Sequence, residues 1–290
     1  MERTTWLVVC AWLWADLGGA QPATPPAASV APAEVVHFAS ASLGSERAFT
    51  LLLPTDYARS SEKRYPVLYL LHGGARQDHT AFAERPWFRE QASRDLMIVT
   101  PNGGDSWYVN SVADPKARYE DFIIKDLVHY VDAHYRTIAS RRGRAIAGIS
   151  MGGWGATVLG LKHPELFGAV GSLSSPFGIS RHASDVDMGA STQQIFGPPG
   201  SRERRERDPA SLVTDIPLDA VPHLYVACGA EDMFLSDNRA FVERLTERRI
   251  PYEYREISPA GHSWELWDRQ IPSFIEMFVE MWASRTETAR

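Results

Sequence analysis

From Val35 onward, short apolar runs alternate with stretches in which apolar residues recur at helical spacing. Arg47–Leu53, Pro66–Leu71, Leu96–Thr100, Arg144–Ile149, Ala169–Leu173, His223–Cys228 and Tyr252–Ile257 read as strands. Between them, Tyr119–Tyr135 places Phe122, Ile123, Leu127, Tyr130 and Val131 on one helical face. Met151–Lys162, Arg239–Arg249 and Ile271–Trp282 read as further helices. Strands that are apolar throughout need cover on both faces, and strands separated by helices run parallel. The pattern therefore predicts an α/β fold with a mostly parallel central sheet and helices on both faces.

Three stretches depart from this rhythm. Residues 1–20 hold Arg3, an apolar run from Trp6 to Trp14, and Leu17-Gly18-Gly19-Ala20 at the end. This is the layout of a secretory signal peptide cleaved after Ala20, too short to span a bilayer. Residues 21–34 are rich in Pro and Ala and read as a linker. A single folded domain is expected over 35–290. Within it, residues 176–215 lack apolar periodicity and include the mixed-charge run Arg202–Asp208, expected to be a solvated loop. A stretch this long, placed after the candidate nucleophile, is a possible cap.

Composition narrows the picture. The chain has 290 residues, 44% of them hydrophobic, enough for a large core. Its formal net charge of -6 gives no positive footprint for nucleic acid. Of its two cysteines, Cys10 falls in the leader and Cys228 in an apolar run, so Cys228 reads as a buried, inert thiol. The leader implies a secreted or periplasmic protein without a stable membrane anchor.

The chemistry centres on Gly148-Ile149-Ser150-Met151-Gly152, set between a strand and a helix. A sharp strand-to-helix turn pushes a serine side chain out above the sheet, and the crowded backbone there requires residues without bulk nearby. Ser150 is the candidate nucleophile. Its developing oxyanion needs two N–H donors. One is expected from Met151, at the start of the helix. The other is expected from Gly73 or Gly74, which follow the strand ending Leu70-Leu71-His72. His72, at a strand end, reads as a structural hydrogen bonder. The base should come last in the chain, and His262, in the loop 258–264, is the one histidine beyond His223. The acid should lie on the loop after the strand 223–228. Asp232 is preferred there, with Glu231 and Asp237 as alternatives. His129 and His134 are not spaced as metal ligands on one helix face, and nothing in the pattern calls for a metal or cofactor.

These pieces, with Thr100-Pro101-Asn102-Gly103-Gly104, Ser106-Trp107-Tyr108, Cys228-Gly229-Ala230-Glu231-Asp232 and Gly261-His262-Ser263-Trp264, resemble the esterase D-like group of α/β-hydrolases. That group includes feruloyl and acetylxylan esterases, S-formylglutathione hydrolases and mycolyltransferases. The resemblance covers about residues 35–283 and implies an α/β-hydrolase fold. It implies Ser150, Asp232 and His262 as a triad, Gly74 as the second oxyanion donor, and Trp107 beside the cleft, a position a core aromatic would also fill. The implied activity is hydrolysis of a small or polysaccharide-linked ester through an acyl-enzyme, on acetyl or feruloyl groups. Acyl transfer to a sugar and an S-formylglutathione hydrolase-like thioesterase are the alternatives. A non-catalytic binding domain is disfavoured, because all three triad positions are intact. Oligomeric state is not legible.

Overall fold

The computed structural model describes residues 33–181 and 191–287. The leader at 1–20 and all but the last two residues of the expected linker lie outside the described residues. The chain forms one eight-stranded sheet in the order β1-β2-β4-β3-β5-β6-β7-β8. The strands are β1 (Glu34–Ser40), β2 (Ser45–Leu52), β3 (Val67–Leu71), β4 (Met97–Pro101), β5 (Arg144–Ile149), β6 (Ala169–Leu173), β7 (His223–Gly229) and β8 (Tyr252–Ile257). The pairs β1/β2 and β2/β4 are antiparallel and the remaining neighbours are parallel.

The helices are α1 (Pro86–Glu90), α2 (Tyr119–Asp121), α3 (Val128–His134), α4 (Met151–Lys162), α5 (Thr192–Phe196), α6 (Arg202–Arg205), α7 (Pro209–Asp215), α8 (Leu235–Glu247) and α9 (Trp264–Glu287). A π-helical turn, Phe122–Leu127, joins α2 to α3 into one continuous segment. Strands β3, β4, β5 and β6 are buried at every position, which is why they are apolar without alternation. Two cores result. One holds Tyr69, Trp154 and Phe167 against α4 and the 119–134 segment. The other holds Leu70, Ala147, Trp267 and Phe274 beneath α9.

The pattern-based boundaries need four corrections. Strand β1 has no counterpart in the apolar pattern and takes in Glu34, the last residue assigned to the linker. Only Phe38 and Ser40 of that strand are buried, because it is an edge strand held by pairing with β2. The final helix begins at Trp264, seven residues before Ile271, and continues through Pro272. In its first turns Leu266 and Trp267 face the core, Arg269 faces outward, and Asp268 accepts from Arg85 and the Trp87 indole. Helix α8 spans 235–247, displaced from the expected 239–249.

The fourth correction is the run Arg202–Asp208, which is exposed at Arg202, Glu203, Arg205 and Glu206 as expected but is not a loop. Ser201 caps α6 and Asp208 caps α7, each side chain accepting a backbone N–H three residues on. Arg204 is buried at 3% exposure, donating to the Gly197 carbonyl, and Asp208 at 4%, accepting from Ser180. Capping and hydrogen bonding, not apolar periodicity, organise this stretch. Among the described residues, no helix is long and apolar enough to cross a membrane.

Candidate active site

The loops leaving the C-terminal ends of β3, β4, β5, β7 and β8 gather at one edge of the sheet. At its centre Ser150 sits between β5 and α4 with φ 53° and ψ -121°, a conformation that costs a non-glycine residue about 1–3 kcal/mol. The turn is enforced by close packing. A Cβ on Gly152 would stand 2.3 Å from the Leu71 carbonyl oxygen, and one on Gly148 2.4 Å from the Gly152 backbone. The Ser150 backbone is fixed at both ends, its N–H donating to Leu173 O at 2.8 Å and its carbonyl accepting from Trp154 N at 3.0 Å.

The loop after β8 brings His262 to this turn, with Nε2 3.1 Å from Ser150 Oγ. Its Nδ1 lies 3.0 Å and 3.2 Å from the two carboxylate oxygens of Asp232. A carboxylate accepts only, so Nδ1 carries the proton and Nε2 is free to accept the Ser150 hydroxyl proton. The loop carrying Asp232 is pinned to the loop carrying His262 by Glu231 N–H donating to Ala260 O at 2.9 Å. Burial by itself would raise the Asp232 carboxyl. Hydrogen bonds from His262, the Phe234 N–H and the Ser174 hydroxyl outweigh it and hold the group below its ordinary value. The alternative acids are not at the imidazole: Glu231 is exposed, and Asp237 accepts the Gly178 N–H at 2.9 Å.

On the other side of Ser150, the Gly73 N–H is taken by the Gln77 side chain at 3.0 Å, whereas the Gly74 and Met151 N–H groups have no hydrogen-bond partner among the described residues. Met151 opens α4, where the first N–H groups have no intrahelical acceptor. His72 braces this loop. Its Nδ1–H donates to Gly73 O at 2.7 Å and its Nε2 accepts from Gly103 N at 3.0 Å. That gives a neutral ring, and burial keeps the imidazole below its ordinary value.

These groups face a cavity of about 600 Å³ lined on one flank by Met233, Phe234 and Trp267, and on the other by Trp107, Asp105 and Arg76. Trp107 answers to both descriptions. It lines the cavity, yet it is 1% exposed and packs edge-on against Trp154 and Phe196. No described residue of 176–215 lines this cavity. A larger recess of about 760 Å³ lies between α6, α7 and α8. Four of its cations, Lys162, Arg181, Arg202 and Arg244, are already paired with carboxylates. It lacks a serine–histidine pair.

Sequence reasoning missed Ser174, Gln77, Asp105 and Trp267. Trp267 stands one turn beyond the Gly261–Trp264 motif, and Asp105 interrupts the motif Gly103-Gly104 … Ser106-Trp107. Ser174 carries no signal in the sequence. It is a buried serine with φ 53° at the end of β6.

The sheet order and its gathered strand-end loops define an α/β-hydrolase fold. Within that class the chain belongs to the Esterase family, whose profile matches residues 40–278. The chain is 32% identical over 258 residues to Esterase Rv1288 of Mycobacterium tuberculosis. That alignment takes in 78% of this chain but spans only about half, 54%, of the relative. It is 24% identical over 256 residues to an acetyl esterase of Caldicellulosiruptor saccharolyticus, covering 83% of this chain and 96% of the relative. Among solved structures, a ferulic acid esterase is similar, with TM-score 0.72 and 31% identity, covering 87% of this chain and 99% of that one. An S-formylglutathione hydrolase from Staphylococcus aureus has TM-score 0.73 and 26% identity, covering 85% and 98%.

Proposed function

We propose that the protein is a serine carboxylic-ester hydrolase that works through an acyl-enzyme on Ser150. The observation that carries this reading is the chain of contacts Ser150 Oγ, His262 Nε2, His262 Nδ1 and Asp232, at 3.1 and 3.0 Å, inside a cavity that also holds two unpartnered N–H groups. His262 takes the Ser150 proton as Oγ attacks the ester carbonyl carbon. The carbonyl oxygen becomes the oxyanion, met by the Met151 and Gly74 N–H groups. His262 then gives its proton to the leaving alcohol as the C–O bond breaks. Water resolves the acyl-enzyme by the same steps, delivering the acid and restoring the Ser150 hydroxyl. Asp232 holds the ring in its tautomer and stabilises the imidazolium.

For the substrate we propose acetyl or feruloyl esters on a carbohydrate. Support comes from the similarity to a ferulic acid esterase and an acetyl esterase. Export, with removal of residues 1–20, goes with this reading, and N-terminal sequencing of the mature protein tests it. The mechanism is tested by 4-nitrophenyl acetate hydrolysis and fluorophosphonate labelling of wild type and Ser150→Ala. Loss of both in the variant is expected. Retained hydrolysis in folded Ser150→Ala would remove Ser150 from the role.

A further inference from the structure

Two charged side chains in the active-site cavity have no part in the mechanism above. Asp105, half-buried on the loop after β4, and Arg76, exposed on the loop after β3, both line it. Neither has an ion-pair or hydrogen-bond partner among the described residues. Asp105 stands beside the oxyanion loop. Its Oδ1 is 3.9 Å from the point where a Cβ on Gly74 would lie. A carboxylate there has the wrong sign for an ordinary ester, since it opposes the negative charge that Gly74 is positioned to receive. An unpaired, partly desolvated carboxylate is tolerated best where a bound ligand supplies its partner.

The topology indicates which part of the ester that is. Asp105 follows β4 and His262 follows β8, on opposite flanks of β5 and Ser150. The leaving alcohol must lie toward His262, which protonates it. The acyl part therefore extends over the flank of Gly74, Asp105 and Trp107. The geometry points to Asp105 as a specificity-determining residue that selects esters whose acyl group carries a hydrogen-bond donor, a hydroxyl or an ammonium. Such a donor pairs with the carboxylate and relieves its opposition to the oxyanion. An acyl group without one, acetyl included, meets the uncompensated charge, so of the two acyl groups proposed above the inference favours feruloyl, which carries a phenolic hydroxyl. This inference rests on the proposed mechanism at Ser150 and deepens it.

The test compares ethyl 3-hydroxybutyrate, ethyl 3-aminobutyrate and ethyl butyrate, which share a chain and differ in the donor. Wild type is expected to favour at least one donor-bearing ester by about tenfold in kcat/KM, the scale of one hydrogen bond in a partly open site. In Asp105→Ala the preference over ethyl butyrate should be lost, and turnover of ethyl butyrate itself should rise severalfold; Asp105→Asn replaces the carboxylate by an amide. The amide still accepts from a hydroxyl but no longer attracts an ammonium. A larger loss on the amino ester than on the hydroxy ester therefore identifies the ammonium as the donor. An equal fall on all three esters, or an unchanged ratio in both Asp105→Asn and Asp105→Ala, overturns the proposal. So does recovery by Arg76→Gln/Asp105→Asn of a general loss caused by Arg76→Gln, which would make Arg76 the partner of the carboxylate. Fluorophosphonate labelling of each variant reports on Ser150 separately, so failure of the mechanism is distinguishable from failure of the selectivity.

Discussion

Trp267 donates its indole N–H to Ser174 Oγ at 3.1 Å while its ring meets the His262 imidazole edge-on, with centroids 5.0 Å apart. The first turn of α9 thus touches His262 directly and holds Ser174, whose hydroxyl helps keep the Asp232 carboxyl below its ordinary value. Phe234 closes the imidazole from its other side at 5.2 Å.

On the proposed mechanism, Ser174→Ala removes a donor from Asp232 without touching substrate. We expect kcat to fall about tenfold, roughly 1.4 kcal/mol of lost orientation, with KM unchanged. Trp267→Phe keeps a ring against His262 but frees the Ser174 oxygen, and should cost less. Steady-state kinetics on a 4-nitrophenyl ester decides it. A rise in KM at constant kcat would assign Ser174 to substrate binding instead.

The turn at Ser150 depends on glycine at two places where backbones touch. Gly152→Ala would place a methyl 2.3 Å from the Leu71 carbonyl oxygen, with no side chain able to move aside. Destabilisation by about 3 kcal/mol is expected, the upper end of the range for overpacking at a rigid site. Urea unfolding monitored by tryptophan fluorescence measures it. A variant within 1 kcal/mol of wild type would show that α4 can shift away from β3.

Two buried carboxylates, Glu120 and Asp232, are held below their ordinary values by hydrogen bonds. At Glu120, burial pushes the carboxyl up, but hydrogen bonds from His163 and Lys162 and the Lys162 charge outweigh it and hold it below the ordinary value. Asp232 is depressed in the same direction. A carboxyl lowered on folding contributes stability above its unfolded value, about 4, which is lost as pH falls through its folded value. Stability should therefore decline below about pH 4, and Glu120→Gln should flatten that decline while lowering stability near neutrality by about 1–2 kcal/mol. Thermal melts from pH 2.5 to 7 test this. An identical pH slope in both proteins would exclude Glu120 as a contributor.

Burial pushes the Cys228 thiol well above its ordinary value, and the neighbouring Asp232 carboxylate pushes the same way. The thiolate is the reactive form, so Cys228 should resist maleimide in the folded protein and react fully in guanidinium. Fast labelling of the native protein by mass spectrometry would mean that the end of β7 opens.

Four of the five strands that carry the site, β3, β4, β5 and β7, were legible because burial on both sheet faces leaves apolar runs that local reading detects. The elements that escaped it are held by other forces. β1 exists through pairing with β2, and α6 and α7 exist through their caps at Ser201 and Asp208. The cap residues stood in the sequence, but the charge run around them concealed the helices. At the site, the sequence pointed to Ser150, His262 and Asp232, because motif and chain order are local or sequential properties. It left Glu231 and Asp237 open, since neighbours on one loop differ only in where the loop turns. That Asp232 stands at the imidazole, with Ser174, Trp267, Gln77 and Asp105 nearby, came from loops of separate strands meeting at one sheet edge. Contacts across 93 residues, as between Ser174 and Trp267, leave no periodicity or spacing behind, because through-space distance depends on strand order and not on separation along the chain.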